Sequence, residues 1–215
     1  MTPIPRIDPD RSSCRPRPFS RGTCLVAMVL LMAGCRALPT TRYYLLELPP
    51  ARVAGGSAAT VSGGCLRIGV AEAFVVAPYD QERIAYRPPG AVQEIAFYHY
   101  HRWSAPPARL AREALVEGLD RLEGIAAEPQ RDAASYDLVL QPTLLRLVEV
   151  DSASGVEAVL ELRWRAAAPD GTVRHGEARA VEPAAMAEVD AVVSAFAAAF
   201  ERAAAEIGRE LLASP

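Results

Sequence analysis

The chain contains no lysine, so arginine supplies all 23 of its basic residues, set against 26 acidic ones in 215 positions. With a formal net charge of -3, it has no surplus of positive charge to neutralise a phosphate backbone, and no nucleic-acid partner is expected. Aromatic residues are sparse at 7%. No Gly-rich loop leads into a helical pattern, so a phosphate cradle is missing. No G-x-S-x-G is present, and the serines fall mostly in turns, which leaves nucleophilic catalysis without its usual elbow. The one apolar run of membrane character, Cys24 to Gly34, has 11 residues, about half of the roughly 20 needed to span a bilayer. What remains, 51% hydrophobic and 23% charged residues, suits one packed domain and not a disordered chain.

Residues 1–34 read as an export signal. Arg6, Arg11, Arg15, Arg17 and Arg21 outnumber Asp8 and Asp10 ahead of the apolar run, giving a positive leader followed by a stretch of h-region length. The run ends in Met32-Ala33-Gly34-Cys35, small residues directly before a cysteine, as in a bacterial lipobox with Met in the usual Leu position. Cys35 is then the lipidation site, and residues 35–42 form the lipidated terminus and its tether. Two or three acyl chains, at about 0.8 kcal/mol per buried CH₂, suffice for stable anchoring without a span. The alternative is an ordinary signal cleaved elsewhere.

Processing at Cys35 would leave 18 Arg against 24 acidic residues, a mildly acidic mature chain. Cys14 and Cys24 would leave with the signal, and Cys65 would stand alone, so no disulfide framework is available and stability must come from a core. Cys65 is expected to pack as a small apolar residue at a strand start.

Residues 43–215 read as one domain. Short strands are expected at 42–47, 66–70, 84–87 and 94–103, where apolar and polar residues alternate. In the last of these, Ile95, Phe97, His99, His101 and Trp103 should share one face and Tyr98, Tyr100 and Arg102 the other. A helix follows, with Ser104 as cap, Pro106 and Pro107 in its first turn, and Leu110, Ala114, Leu115, Leu119 and Leu122 at helical spacing up to Gly124. Arg109 with Glu113, and Glu117 with Arg121, should pair on its outer side. Three strands then form a meander at 137–150, 156–166 and 173–181, the second join being an Asp170-Gly171 hairpin. Met186, Val189, Val193, Phe196, Phe200, Ala204, Ile207 and Leu211 mark the stripe of a long final helix. The order gives an α+β fold: an antiparallel sheet with two helices packed on one face, in a single domain.

His99 and His101 are the sharpest chemical candidates. Alternate strand positions could offer two imidazoles to one metal, but a zinc site needs a third and usually a fourth ligand. The remaining His175, with Glu177 beside it, could complete a composite site; the competing reading is that the histidines simply stack within an aromatic strand. Glu157 and Glu161 read as solvated charge, not as a catalytic pair, and no catalytic residue is assigned.

Thr41-Arg-Tyr-Tyr-Leu-Leu46 just after the lipobox, Val70 to Tyr79, and above all Arg102-Trp103-Ser104-Ala-Pro106 leading into a helix, together resemble the ABC-type transport auxiliary lipoproteins, a family that includes the lipoprotein of the paraquat-inducible MCE system. The likeness extends over the strand at 155–165, the Asp170-Gly171 turn and the final helix. It implies a periplasmic lipoprotein without catalytic activity, anchored at the outer membrane and serving a system that moves lipids between membranes. The partners it implies are an MCE-domain protein or ABC transporter subunits; it implies no cofactor beyond the covalent lipid on Cys35. Arg36, in place of the Asp that retains many lipoproteins, favours outer-membrane sorting. The family motif maps onto Tyr86, Arg102, Trp103, Ser104 and Pro106. Trp103 could serve a partner, or could lock the strand-helix corner by burying about 200 Å². A partner is expected on an exposed, acidic and mobile face around Asp80 to Gly90. The alternative is a lipid-binding shuttle or a lipopolysaccharide-assembly type lipoprotein.

Overall fold

The structure is a computed structural model describing residues 39–50, 65–91, 93–131, 136–152 and 155–213. Cys35, Arg36 and the Gly63-Gly64 turn lie outside the described residues. The elements run β1 (Arg42–Tyr44), β2 (Leu66–Val70), β3 (Phe74–Val75), β4 (Arg83–Arg87), β5 (Ala96–Trp103), α1 (Pro107–Asp120), β6 (Ile125–Pro129), β7 (Leu138–Ser152), β8 (Gly155–Ala167), β9 (Val173–Pro183) and α2 (Val189–Ala213). All belong to the unit Thr40–Pro215.

The 15-residue strand β7 is the spine of the sheet. Along one edge it runs antiparallel to β8, which pairs with β9 in turn. Along the other edge it receives β2, β3 and β4 in succession, all parallel, at Ile68 against Leu138, Phe74 against Thr143 and Tyr86 against Glu149. β6 adds in parallel to β2, β1 in parallel to β5, and β5 runs antiparallel to β4. The fold is α+β, but the sheet is mixed, not antiparallel as the sequence suggested. Parallel neighbours need long connections; residues 71–124, α1 among them, make the one between β2 and β6.

Proline in an interior strand ordinarily costs a ladder bond. Pro142 avoids this because it falls between two partners. Ala71 N–H donates to Leu140 O and Val76 N–H to Leu144 O, so between those points the chain leaves β7, and Gln141 Nε2 donates to Glu72 O at 2.7 Å in the gap. Two residues further on, the register shifts between Leu144 and Arg146. Leu138, Leu140 and Leu144 face the main core before the shift and Leu147 after it, so one extra residue switches the inward row from even to odd positions.

The main core joins that row to Leu160, Leu162 and Trp164 of β8 and to the buried faces of both helices. α2 packs on β8 and β9 and against α1, which also contacts β6 and β2. The helices approach closely: a Cβ built on Gly118 would stand 2.6 Å from that of Ala204. A smaller cluster, Tyr79, Ala85, Val148 and Val159, uses the alternate residues of the strands and so lies on the other side of the sheet.

Several expectations change. Ser104 does not cap α1; Pro106 takes that position, Pro107 is the first helical residue, and among the described residues no side chain caps the end. Met186 precedes α2 and is exposed, leaving the stripe to begin at Val189. Cys65 is exposed, one residue ahead of β2, and is not a core residue. β3 and β6 were not legible: β3 has two residues, and Ile-Ala-Ala-Glu-Pro carries no clear alternation.

Candidate functional site

The motif residues gather where β5 meets α1, and a local irregularity sets their directions. Arg83 pairs with Arg102 while Ala85 pairs with Phe97, so two steps along β4 span five along β5. The odd excess reverses the alternation. Ile95 and Phe97 pack with the small cluster, whereas Tyr98 and Trp103 join the main core. The expected common face of Ile95, Phe97, His101 and Trp103 is therefore not formed, because the bulge falls inside it.

Trp103 closes the corner. Its indole is buried edge-on against Phe196 of α2, centroids 5.6 Å apart. The Trp103 backbone N–H donates to Glu82 O at 2.6 Å, and the Ser104 backbone N–H donates to Tyr44 O at 2.8 Å. One turn thus ties β1, the approach to β4, β5 and α2 together, which is the structural role of a strand-ending Trp. The Ser104 and Pro106 side chains are exposed at this corner, while Arg102 is half-buried.

A polar aromatic network runs from Trp103 toward the centre of the sheet. Tyr86 stacks on Tyr98 at 4.6 Å and Tyr98 meets His101 edge-on at 5.3 Å. Tyr44 Oη and His101 Nδ1 share a hydrogen bond of 2.7 Å. Burial, then the Arg42 charge, lowers the His101 pKa and keeps the ring neutral, against the opposing charge of Asp190. Burial, then the Asp190 charge, raises the Tyr44 pKa, so the phenol keeps its proton. Tyr98 O–H donates to Glu149 Oε1 at 3.0 Å. Glu149 is only 6% exposed, and its Oε2 has no hydrogen-bond partner among the described residues. Burial raises the pKa of both, the Glu149 charge adding to the shift of Tyr98. Tyr44, Tyr98 and Glu149 were missed in the sequence. The available signal was an acid in line with Leu147, hidden by the shift in β7.

The histidines do not assemble a metal centre. His101 is engaged by Tyr44, and His99 is exposed, its ring against Tyr100. His175 and Glu177 lie on β9, separated from β5 by β4, β7 and β8, roughly 19 Å at about 4.8 Å per strand step. Among the described residues no group of three or more His, Cys, Asp or Glu could hold a metal.

The helix pairs expected on α1 are present, Arg109 with Glu113 at 2.7 Å and Glu117 with Arg121. Glu161, expected as free charge, instead bridges Arg146 at 3.0 Å and Arg179 at 3.1 Å. The segment 80–90 is not a mobile loop throughout: Ile84 and Ala85 of β4 are buried and Tyr86 is half-buried, leaving Asp80, Glu82, Arg83, Pro89 and Gly90 exposed around the strand. Open grooves flank α2, two of them away from its C-terminal end. One, of about 510 Å³, is lined by Arg121, Glu182, Glu201 and Arg202; the other, of about 470 Å³, by Met186, Glu188, Asp190 and Ser194 among others.

A family model, that of the ABC-type transport auxiliary lipoprotein component, matches residues 44–208, from the phenol at His101 to the glycine of α2 that abuts Leu122. The chain belongs to that family. No curated protein matches this lipoprotein in sequence. Among solved structures, it is similar to an uncharacterized protein at 17% identity and TM-score 0.65, over 80% of this chain and 99% of that one. It is also similar to protein XCC0632 from Xanthomonas campestris at 21% identity and TM-score 0.58, over 81% of this chain and 93% of that one. Both likenesses are of fold. The family is one of transport auxiliaries and not an enzyme family, and its lipoprotein character implies a membrane-anchored location.

Proposed function

We propose that this lipoprotein is a non-catalytic adaptor of an ABC/MCE-type intermembrane lipid transport system, held by an acylated Cys35 on the periplasmic face of the outer membrane and contributing to that membrane's integrity. The family match over residues 44–208 carries the reading. The signal and lipobox supply the anchor. Residues 36–42 reach at most roughly 25 Å at about 3.5 Å each, so an anchored domain cannot carry cargo across the periplasm and a longer partner must come to it. We take that partner to be the periplasmic end of an MCE-domain assembly or another transporter subunit, meeting the exposed residues around β4 and the motif corner.

The packing favours an adaptor over the shuttle. The largest buried side chains fill one continuous core, and the grooves beside α2 are open to solvent, unlike the enclosed apolar pocket that an acyl chain would fill. In vivo cross-linking from a photoreactive residue at Gln81 is expected to capture an MCE-domain protein. Capture of phospholipid alone would favour the shuttle, and turnover of an ester or peptide by the purified protein would overturn the non-catalytic reading. Mass spectrometry should find an acylated cysteine at the mature terminus, and sucrose-gradient fractionation should place the protein with outer-membrane markers; a soluble form starting elsewhere, or inner-membrane fractions, would refute the anchor or the sorting respectively.

A further inference from the structure

We propose that Tyr43 and Leu45 form a membrane seat, a two-residue apolar row that rests in the head-group region of the bilayer holding the protein's own lipid, and that fixes the orientation of the domain on it. The proposal rests on the acylation of Cys35 proposed above. From Arg42 to Leu48 the chain alternates. Tyr44 and Leu48 are buried and Leu46 packs against the core, while Tyr43 and Leu45 are 64% and 63% exposed. The inward row is accounted for by the core. The outward row is not, since single strand residues that face water are normally polar.

Isolated exposed apolar residues are common and carry little by themselves. Position makes this pair different. Tyr43 stands eight residues after Cys35 and Leu45 ten, and a fully extended chain of that length reaches at most about 35 Å. An acylated Cys35 therefore keeps the row within about one bilayer thickness of lipid at all times, where binding is intramolecular and a weak contact is populated. The chemistry suits an interface. Tyrosine places its ring among the head groups with the hydroxyl wet, and leucine reaches past it into the acyl boundary. The row is also held rigidly. β1 pairs with β5 through Arg42 against His101 and Tyr44 against Trp103, and Tyr44 is pinned by its hydrogen bond to His101. Seating this row therefore orients the sheet and the Trp103 corner with it, instead of merely tethering them.

The test uses the full-length acylated protein in vesicles of phosphatidylethanolamine and phosphatidylglycerol, with Cys65→Ser to remove the exposed thiol. An environment-sensitive nitrobenzoxadiazole label is placed at Tyr43→Cys, at Leu45→Cys or, as control, at Val173→Cys, which is exposed on β9. Spin-labelled phospholipid should quench the labels at 43 and 45 at least twofold and leave 173 unchanged, while aqueous iodide should show the reverse order. Equal responses at all three sites would overturn the seat. Labels at 43 and 45 shielded from both quenchers would also overturn it, showing that a protein surface covers the row. Mass spectrometry of the same sample separates the two ideas: an unacylated terminus removes the anchor and the seat with it, whereas an acylated protein with unquenched labels removes the seat alone.

Discussion

Replacing Phe196 by alanine tests the join between the final helix and the motif corner. The ring is fully buried and contacts Trp103 edge-on, with Leu160, Ala199 and Phe200 in the same cluster. Truncation removes the transfer free energy of the ring and leaves a cavity that the surrounding strands and helices only partly close, about 3 to 5 kcal/mol in all. Against a total of roughly 5 to 15 kcal/mol for a domain, that is a large fraction. At about 2 to 4 °C per kcal/mol for a chain of this size, the melting temperature should fall by roughly 6 to 20 °C, measured by circular dichroism. Phe74→Ala is the control. That ring is 67% exposed and its loss should stay within about 0.5 kcal/mol. A Phe196→Ala protein melting within a degree or two of the wild type would show that the ring does not sit in the corner, and would refute the reading that Trp103 acts through packing.

Two further changes probe the closest helix contact and the buried acid. Gly→Ala inside an open helix gains about 1 kcal/mol, yet Gly118→Ala should lose about 1 to 3, because the new Cβ meets that of Ala204 at 2.6 Å; adding Ala204→Gly should restore stability, and a stabilised single variant would disprove the contact. Burial raises the Glu149 pKa above its ordinary 4.5, so in the window between the two values the folded protein keeps a proton that the unfolded chain has lost, and the associated stability is complete below 4.5 and falls as pH rises through the folded value. Glu149→Gln cannot ionise, so it should melt near the wild type at pH 4 and above it at pH 8, and parallel pH profiles for the two proteins would contradict this assignment.

Local signals in this chain were legible where the period held. Alternation in 66–70, 138–144 and 156–166 reports strands whose inward residues meet the core, and the stripe from Val193 to Leu211 reports a helix whose apolar face is wide enough to touch both the sheet and α1. The pairing of those strands was not legible. Whether β2 lies parallel or antiparallel to β7 depends on how the segments between them cross the sheet, and β-rich stretches with polar neighbours read the same either way. The Asp170-Gly171 turn was legible because its chemistry is local: Gly171 takes a positive φ of 89° and Thr172 N–H donates to Asp170 at 2.8 Å.

The motif corner shows how a strand-helix turn can be read from sequence while its surroundings are misdrawn. Arg102-Trp103-Ser104-Ala-Pro106 placed the turn, since a strand that ends on a large aromatic before two prolines must turn there. Its neighbours were placed on the wrong faces because alternation is a counting argument, and a count fails after any inserted residue. β5 gains three residues against β4 and β7 gains one against β8. The first insertion turns Tyr98 inward and the second turns Glu149 inward, and only because both occur do the phenol and the carboxylate meet at 3.0 Å. Either insertion alone would send one group to the opposite side of the sheet and leave the other buried without its partner. The network between Tyr44, His101, Tyr98 and Glu149 is thus a property of the strand pairing, while the exposed row at Tyr43 and Leu45, which precedes both insertions, follows from simple alternation and lies where the tether delivers it.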